Sequence, residues 1–343
     1  MPSLFSSILK AVNRDINGNE PMDILCINQN EAFQFDLAKT GHNFYYIQPQ
    51  KTRLWDTNIR PKPSNCYFLK GVDLKDQLKQ DMQFDLILCQ NKFTQFGLLM
   101  EISKQISCPI ILMENNLSDH KIDPYVIEAA NNQEYNHYVF NSNFLANSCG
   151  LDKEDDDVSV IDFGIDIGDF GDWNGKYDTV CGVVKDDKDL DHITGLNIFG
   201  EMVGDFQVDV ARPTDNNKNI VSMYKTCGVF LNTSQWIINP RHLLEAMATG
   251  CPVVTTDTAN ISSIVEHGVN GYVTNDINDM KTYLKTILED REVAKKLGNA
   301  ARETIANKFC MSQFLNKWNK LFTNCVGKTS TAFKGNRNVT IEY

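Results

Sequence analysis

The sequence lacks any C-x-x-C pair and any His/Cys cluster at metal-ligand spacing, although it carries ten cysteines. Neither a disulfide framework nor a zinc site is therefore expected, and the cysteines read as those of a reducing, cytoplasmic compartment. Long apolar runs are also missing. No stretch approaches the roughly eighteen residues needed to span a bilayer, and the opening "MPSLFSSILKAVNRDINGNE" has neither a long apolar core nor a small-residue cleavage site. Neither a secretion signal nor a transmembrane segment is expected, and Leu4 to Val12 reads as a short amphipathic helix for the protein's own surface rather than a membrane. Positive charge is in deficit, with 33 Lys and Arg against 44 Asp and Glu, a net charge of −11. That field repels nucleic acid and acidic membranes unless a local basic patch intervenes. The acids gather between Asp152 and Asp191 and the stretch from Lys308 onward leans basic; both read as solvated faces.

Several chemical signatures are absent as well. After the first strand-like run stands "INQNEAFQF", with no glycine, so the G-x-G-x-x-G fingerprint of a dinucleotide-dependent dehydrogenase is missing. "GKTS" at Gly327 mimics the end of a P-loop, but Phe322 occupies the place of its first glycine. In "GDFGDWNG" the aspartates would repel the phosphates that such glycines cradle. The six histidines form no i, i+4 pair, and no G-x-S-x-G elbow marks a serine hydrolase.

What remains is an α/β pattern. With 42% hydrophobic residues over 343 positions the chain can bury one or two cores, and two domains are expected. From Met22, short apolar runs alternate with helical periodicity: "DILCI", "NFYYI", "FDLILC", "PIILM", "HYVFNS" and "VSVI" are strands, Phe93 to Ile106 is a helix, and Gly41 suits a left-handed helix end. Asp162 to Lys176, rich in glycine and aspartate, reads as a linker. Beyond it, "DTVCGVV", "FQVDV", "GVFLNT", "PVVTT" and "GYVT" alternate with helices, and three amphipathic helices run to about Cys325 ahead of a polar tail.

One helix carries the strongest functional signal. In "NPRHLLEAMATG", Asn239 is a suitable N-cap, Pro240 a suitable first residue and Gly250 a stop, while Leu243, Leu244, Met247 and Ala248 form an apolar face. Set between two parallel strands, the helix opens at the carboxyl end of a sheet, where its unpaired N–H groups and dipole favour an anion such as a diphosphate. Glu245 lies further in. Its carboxylate either accepts hydrogen bonds from vicinal hydroxyls such as those of ribose or closes a salt bridge within the helix.

"LLEAMATGCPVVTTDTANISSIVEHGVNGYV" (243–273) closely resembles the nucleotide-sugar-binding segment of glycosyltransferase family 4, whose pattern is roughly LEAMA-x-G-x-PVV followed by a short helix and hG-x-NG-hV. Gly268, Asn270 and Gly271 fall in register with the second part. "VIDFGIDIGDF" resembles the family's inter-domain hinge, and "LAKTGHNFYYI" its N-terminal "L…GH" strand. The resemblance implies the GT-B architecture: two Rossmann-like domains facing across a cleft, with C-terminal helices crossing back. The expected boundaries are 1–165 for the acceptor domain, 175–307 for the nucleotide-sugar domain and 308–343 for a helix returning to the first domain, with its tail.

The resemblance implies a hexosyl- or pentosyltransferase, retaining and metal-independent, with a nucleotide-diphosphate sugar as co-substrate and no cofactor. Donor-binding residues would be Ser234, Asn239, Pro240, Arg241, His242, Leu243, Glu245, Thr255 and Thr256. Glu245 would hold the ribose. Lys188 would face the diphosphate, where a cation stabilises the departing charge; it reads equally as a solvated lysine among aspartates. Gln90, Asn91, Glu114 and Asn115 end two strands and would face the acceptor, with Glu114 orienting it or merely capping its loop. The expected catalytic set is Lys188, Arg241, Glu245 and Glu114. Three positions depart from the family pattern. Ile237 stands where a first glutamate belongs, Val183 replaces an arginine, and the glycine pair after the first strand is gone. Arg241 or His242 would supply part of the missing charge. Two other readings stay open: a GT-B protein that binds nucleotide or sugar without transfer, and a glycosyltransferase of modified nucleic-acid bases that uses the basic tail. The acceptor, whether glycan, small molecule or modified DNA base, is not named by the sequence, and a homodimer is left open.

Overall fold

The computed structural model describes residues 20–27, 30–47, 55–69, 71, 78, 82–90, 95–114, 135–148, 157–184, 195–202, 204–235, 240–259 and 261–326. By internal contacts the chain divides into two compact units. One runs to Asp162 and takes in the chain from Leu315, and the other is Phe163–Phe314.

The first unit carries β1 (Asp23–Ile27), α1 (Glu31–Ala38), β2 (Asn43–Ile47), β3 (Cys66–Phe68), β4 (Leu86–Cys89), α2 (Phe96–Ser103), β5 (Ile110–Glu114), β6 (His137–Phe140), α3 (Asn143–Ser148) and β7 (Val158–Val160). Its seven strands are all parallel, in the order β3-β2-β1-β4-β5-β6-β7. A parallel sheet is covered on both faces, which is why every residue of β4, β5 and β6 is buried. Asn30 caps α1 by accepting from the Phe33 backbone N–H at 3.0 Å, and Gly41 takes the left-handed φ of 87° in the turn to β2.

The second unit carries β8 (Val180–Val183), α4 (Leu196–Gly200), β9 (Val208–Ala211), α5 (Asn217–Thr226), β10 (Val229–Asn232), α6 (Arg241–Thr249), β11 (Val253–Thr255), β12 (Tyr272–Val273), α7 (Ile277–Glu289) and α8 (Arg291–Lys308). A last helix, α9 (Met311–Val326), starts in this unit and belongs to the first from Leu315 on. The five strands are again parallel, in the order β12-β11-β10-β8-β9. Met280, Leu284 and Ile287 of α7 and Ala294 and Leu297 of α8 pack with Val180, Val229, Leu231 and Val254 of the sheet. Asp290 ends α7 and caps α8, its carboxylate accepting from the N–H groups of Glu292 and Val293.

Two sequence expectations change here. β3 was not expected; it is three residues long, and its Tyr67 is 43% exposed. The glycine- and aspartate-rich stretch expected as a linker is part of the second unit from Phe163. Trp173 donates its backbone N–H to Thr249 O at 2.8 Å and its indole N–H to Cys227 O at 2.7 Å, and the Arg291 guanidinium stacks 4.4 Å above its ring. Arg302 donates to the carbonyls of Ala248 and Phe170. The end carbonyls of α6 thus gain a backbone N–H and a cation, both favourable at a helix C-terminus.

Three cysteines far apart in sequence meet beside this end: Cys227 Sγ lies 2.7 Å from Cys181 Sγ and 3.6 Å from Cys251 Sγ. Burial pushes the Cys181 and Cys251 thiols well above the ordinary range. Cys310, half-buried just before α9, differs: hydrogen bonding to the Ser312 hydroxyl, then to the Gln313 N–H, holds its thiol below that range. Burial drives Cys108 up to about 12. Against the opposing effect of burial, hydrogen bonds from Cys181 and Cys251 hold the Cys227 thiol low as well, at about 6, but Cys227 is 1% exposed. Among the described cysteines, half-buried Cys310 is therefore expected to be carbamidomethylated first by iodoacetamide at neutral pH. Time-resolved peptide mass spectrometry checks this, and faster labelling of Cys108, Cys181 or Cys251 would contradict it.

Candidate active site

In an open parallel sheet, ligands bind outside the carboxyl ends of the strands where the strand order reverses. In the second unit that reversal lies between β8 and β10, because β9 pairs on one side of β8 while β10, β11 and β12 follow on the other. Thr233 and Ser234 leave the carboxyl end of β10, and α6 follows. The chain beyond β8 returns at Gly195, whose φ of 64° is left-handed and whose Cα hydrogen side lies against Thr233: a Cβ there would stand 1.9 Å from the Thr233 carbonyl oxygen. Only glycine lets these two backbones meet.

The loop after β10 is braced from β11. Asn232 donates to Thr255 Oγ1 at 2.9 Å, Ser234 Oγ donates to Asn232 Oδ1 at 2.8 Å, and the hydroxyls of Thr256 and Thr258 donate to Ser234 O. Thr255 and Thr256 are buried with their hydroxyls engaged inside the protein. Both were expected near the donor; their hydroxyls hold the loop.

Helix α6 begins one residue later than expected. Pro240, with φ −82° and ψ 46°, is the N-cap rather than the first helical residue, and no side chain caps the end. Among the described residues no hydrogen bond is made by the backbone N–H of His242 or Leu243, and the first backbone bond is Leu244 N to Pro240 O at 3.0 Å. The first N–H groups of a helix have no partner within the helix, and with the positive end of the dipole they favour an anion at this end. The Leu243 side chain is core, as are those of Leu244, Ala246, Met247 and Ala248.

Glu245 is 1% exposed. Arg241 Nε donates to its Oε1 at 2.8 Å, and His242 Nδ1 stands 3.7 Å from its Oε2. Of the two expectations for this carboxylate, the helix-internal ion pair is present. The first turn of α6 thus brings a guanidinium and an imidazole beside a buried carboxylate at the positive end of the helix dipole, an arrangement suited to an anion such as a diphosphate.

In the first unit the strand order reverses between β1 and β4. Gln90 directly follows β4, Glu114 ends β5 and Asn141 directly follows β6, so three adjacent strands each finish in a buried polar residue. Gln95 reaches back to this edge, its Oε1 accepting from the Gln90 N–H at 3.2 Å. Asn141 and Gln95 were not expected. A polar residue closing an all-apolar strand, as in "HYVFN", is the signal that finds Asn141. Lys188, Asn239, Asn91 and Asn115 lie outside the described residues, as does Ile237. Among the described residues no group of three or more His, Cys, Asp or Glu is placed to hold a metal ion, and no helix is long and apolar enough to cross a membrane.

Two parallel-sheet units, with the helix-end site at the strand reversal of the second, define a protein of the GT-B glycosyltransferase fold. Residues 207–304 match the family model "Glycosyl transferases group 1", so the second unit carries a domain of that family. Among curated proteins, spore coat protein SA of Bacillus subtilis is 33% identical over 97 residues, covering 27% of this chain and 26% of that protein. The poly(ribitol-phosphate) alpha-N-acetylglucosaminyltransferase of Staphylococcus aureus is 33% identical over 95 residues, 27% of this chain and 19% of that enzyme. The chain therefore aligns with about a quarter or less of these relatives' lengths. Among solved structures, the sucrose-phosphate synthase of Thermosynechococcus elongatus superposes with a TM-score of 0.69 at 12% identity, over 88% of this chain and 98% of that one. HepE of Anabaena, solved in complex with UDP and glucose, superposes with a TM-score of 0.66 at 16% identity, over 88% of this chain and 100% of that one. At such identities the likeness is one of fold.

Proposed function

We propose that the protein transfers a hexosyl or pentosyl group from a nucleoside-diphosphate sugar to an acceptor, with retention at the anomeric carbon and without a divalent metal. The observation that carries this reading is the first turn of α6. There Arg241 and His242 flank buried Glu245 at the N-terminal end of a helix that follows the strand reversal of a group 1 glycosyltransferase domain. Negative charge that grows on the departing diphosphate would be met by these groups and by Lys188, so leaving-group stabilisation and positioning supply most of the rate. Glu245 would receive the ribose hydroxyls by sharing its carboxylate between them and Arg241. Gln90, Glu114 and Asn141, with Asn91 and Asn115, would face the acceptor, a glycan, a small molecule or a modified base.

Thermal-shift screening against nucleoside-diphosphate sugars, followed by mass spectrometry of products formed with cell-derived acceptors, tests the reading. One donor is expected to raise the melting temperature, and Glu245→Ala to abolish that ligand-dependent rise. An undiminished rise in Glu245→Ala would remove Glu245 from the donor site. A second reading, binding without transfer, is favoured by Ile237 at the position of the family's first glutamate. Saturable nucleotide binding with no turnover of any donor would select it.

A further inference from the structure

Tyr224 on α5 is fully buried and packs edge-on against Phe230 of β10, with ring centroids 5.3 Å apart and planes at 89°. Its hydroxyl lies 3.0 Å from His242 Nδ1. A buried phenol hydroxyl needs a partner, and one here is a residue in the first turn of the helix that carries the candidate donor site. His242 is otherwise positioned to face outward: its side chain is 33% exposed. The two nitrogens of an imidazole lie on opposite edges of the ring. With Nδ1 turned inward to Tyr224, and with Glu245 Oε2 3.7 Å away, Nε2 is the nitrogen on the open edge.

We propose that Tyr224 is a positioning residue of the donor site: its hydroxyl donates to Nδ1, holds neutral His242 as the Nε2–H tautomer, and so presents an N–H donor to the donor's diphosphate. The hydrogen bond on one ring nitrogen sets which nitrogen carries the proton on the other. Phe230 fixes the phenol ring, so the imidazole is oriented from the sheet rather than by the ligand, which lowers the ordering cost when an anion arrives. At 3.7 Å, Glu245 is beyond hydrogen-bond reach of Nδ1, leaving Tyr224 as the group that selects the tautomer. The diphosphate as ligand rests on the function proposed above; the tautomer does not.

Two measurements separate these parts. Long-range proton–nitrogen spectra of labelled protein, taken above the ordinary imidazole titration range, are expected to show His242 with its proton on Nε2, and a mixture of tautomers in Tyr224→Phe. A proton on Nδ1 in the unsubstituted chain would overturn the assignment. Calorimetry with UDP, ADP and GDP then forms a cycle. His242→Ala is expected to weaken binding of the nucleotide that binds by about tenfold. Tyr224→Phe is expected to weaken it about threefold to tenfold with His242 present and not at all in the His242→Ala background. An equal loss in both backgrounds would show that Tyr224 acts through packing, and would overturn its positioning role. If none of the three nucleotides binds the unsubstituted chain, the donor reading falls and with it the ligand of His242, while the spectra still decide the part played by Tyr224.

Discussion

Arg241→Ala is expected to destabilise the second unit by about 3–5 kcal/mol, because it leaves a buried carboxylate without its ion partner. Glu245 is 1% exposed and Arg241 12% exposed at the side chain, so the two ends of the pair are not equivalent. Removing the arginine takes the 2.8 Å ion pair from a carboxylate that is 1% exposed. Removing the carboxylate leaves a guanidinium whose long stem can turn its head outward. Glu245→Ala is therefore expected to cost less stability than Arg241→Ala, although both should lose nucleotide-dependent stabilisation. The double replacement Arg241→Met with Glu245→Leu should recover most of the stability, since apolar side chains of similar volume commonly substitute for a buried pair without loss. It should recover no nucleotide binding. Urea unfolding with matched slopes measures the first quantity and ligand-dependent melting shifts the second. A double variant that binds nucleotide normally would show that the pair is structural alone.

Gly195→Ala is expected to cost about 2–4 kcal/mol, from the left-handed backbone together with an overpacked contact. The added Cβ would meet the Thr233 carbonyl oxygen at 1.9 Å, and both partners are backbone. Relief requires Thr233 to move, and Ser234 with it, so nucleotide affinity should fall along with stability. Gly41→Ala is the internal comparison: its φ is 87°, but no atom lies within 4 Å of the new Cβ, so only the conformational cost of about 1–2 kcal/mol is expected. Equal losses for the two variants would mean that the contact at Thr233 relaxes freely.

The strands were legible because parallel strands covered on both faces are unbroken apolar runs, as in Leu86–Cys89 and Ile110–Glu114. β3 escaped for the converse reason. At the edge of its sheet, Tyr67 is exposed and three residues carry no pattern. The site helix was legible from Pro240, Gly250 and its apolar face, but its start was misplaced by one residue, since the restricted φ of proline is met at the N-cap, where Pro240 has φ −82°, as it is in the first turn. Thr255 and Thr256 were placed near the donor by the family resemblance; that their hydroxyls turn to Asn232 and Ser234 is a tertiary fact. The same holds for the pairing of Tyr224 with His242, the approach of Gly195 to Thr233, and the meeting of Cys181, Cys227 and Cys251. Each joins segments whose separation follows no helical or strand period. Trp173 shows the limit of composition. A stretch of glycines and aspartates reads as loose chain, yet one aromatic side chain and two arginines dock it against α6 and α8.

The placement of α9 has a consequence for how the chain matures during synthesis. Trp318 and Phe322 pack against Phe33 and Phe44, so the hydrophobic interior of the first unit draws on residues nearly three hundred positions apart in the sequence. The second unit is one continuous segment, Phe163–Phe314. On the ribosome, where segments emerge from the N-terminal end, the second unit has all its parts before the first does. The earlier-made half must wait with an open apolar face until the translated chain has passed Phe322, and that interval, rather than the finished protein, is when a chaperone or an aggregating neighbour would find it.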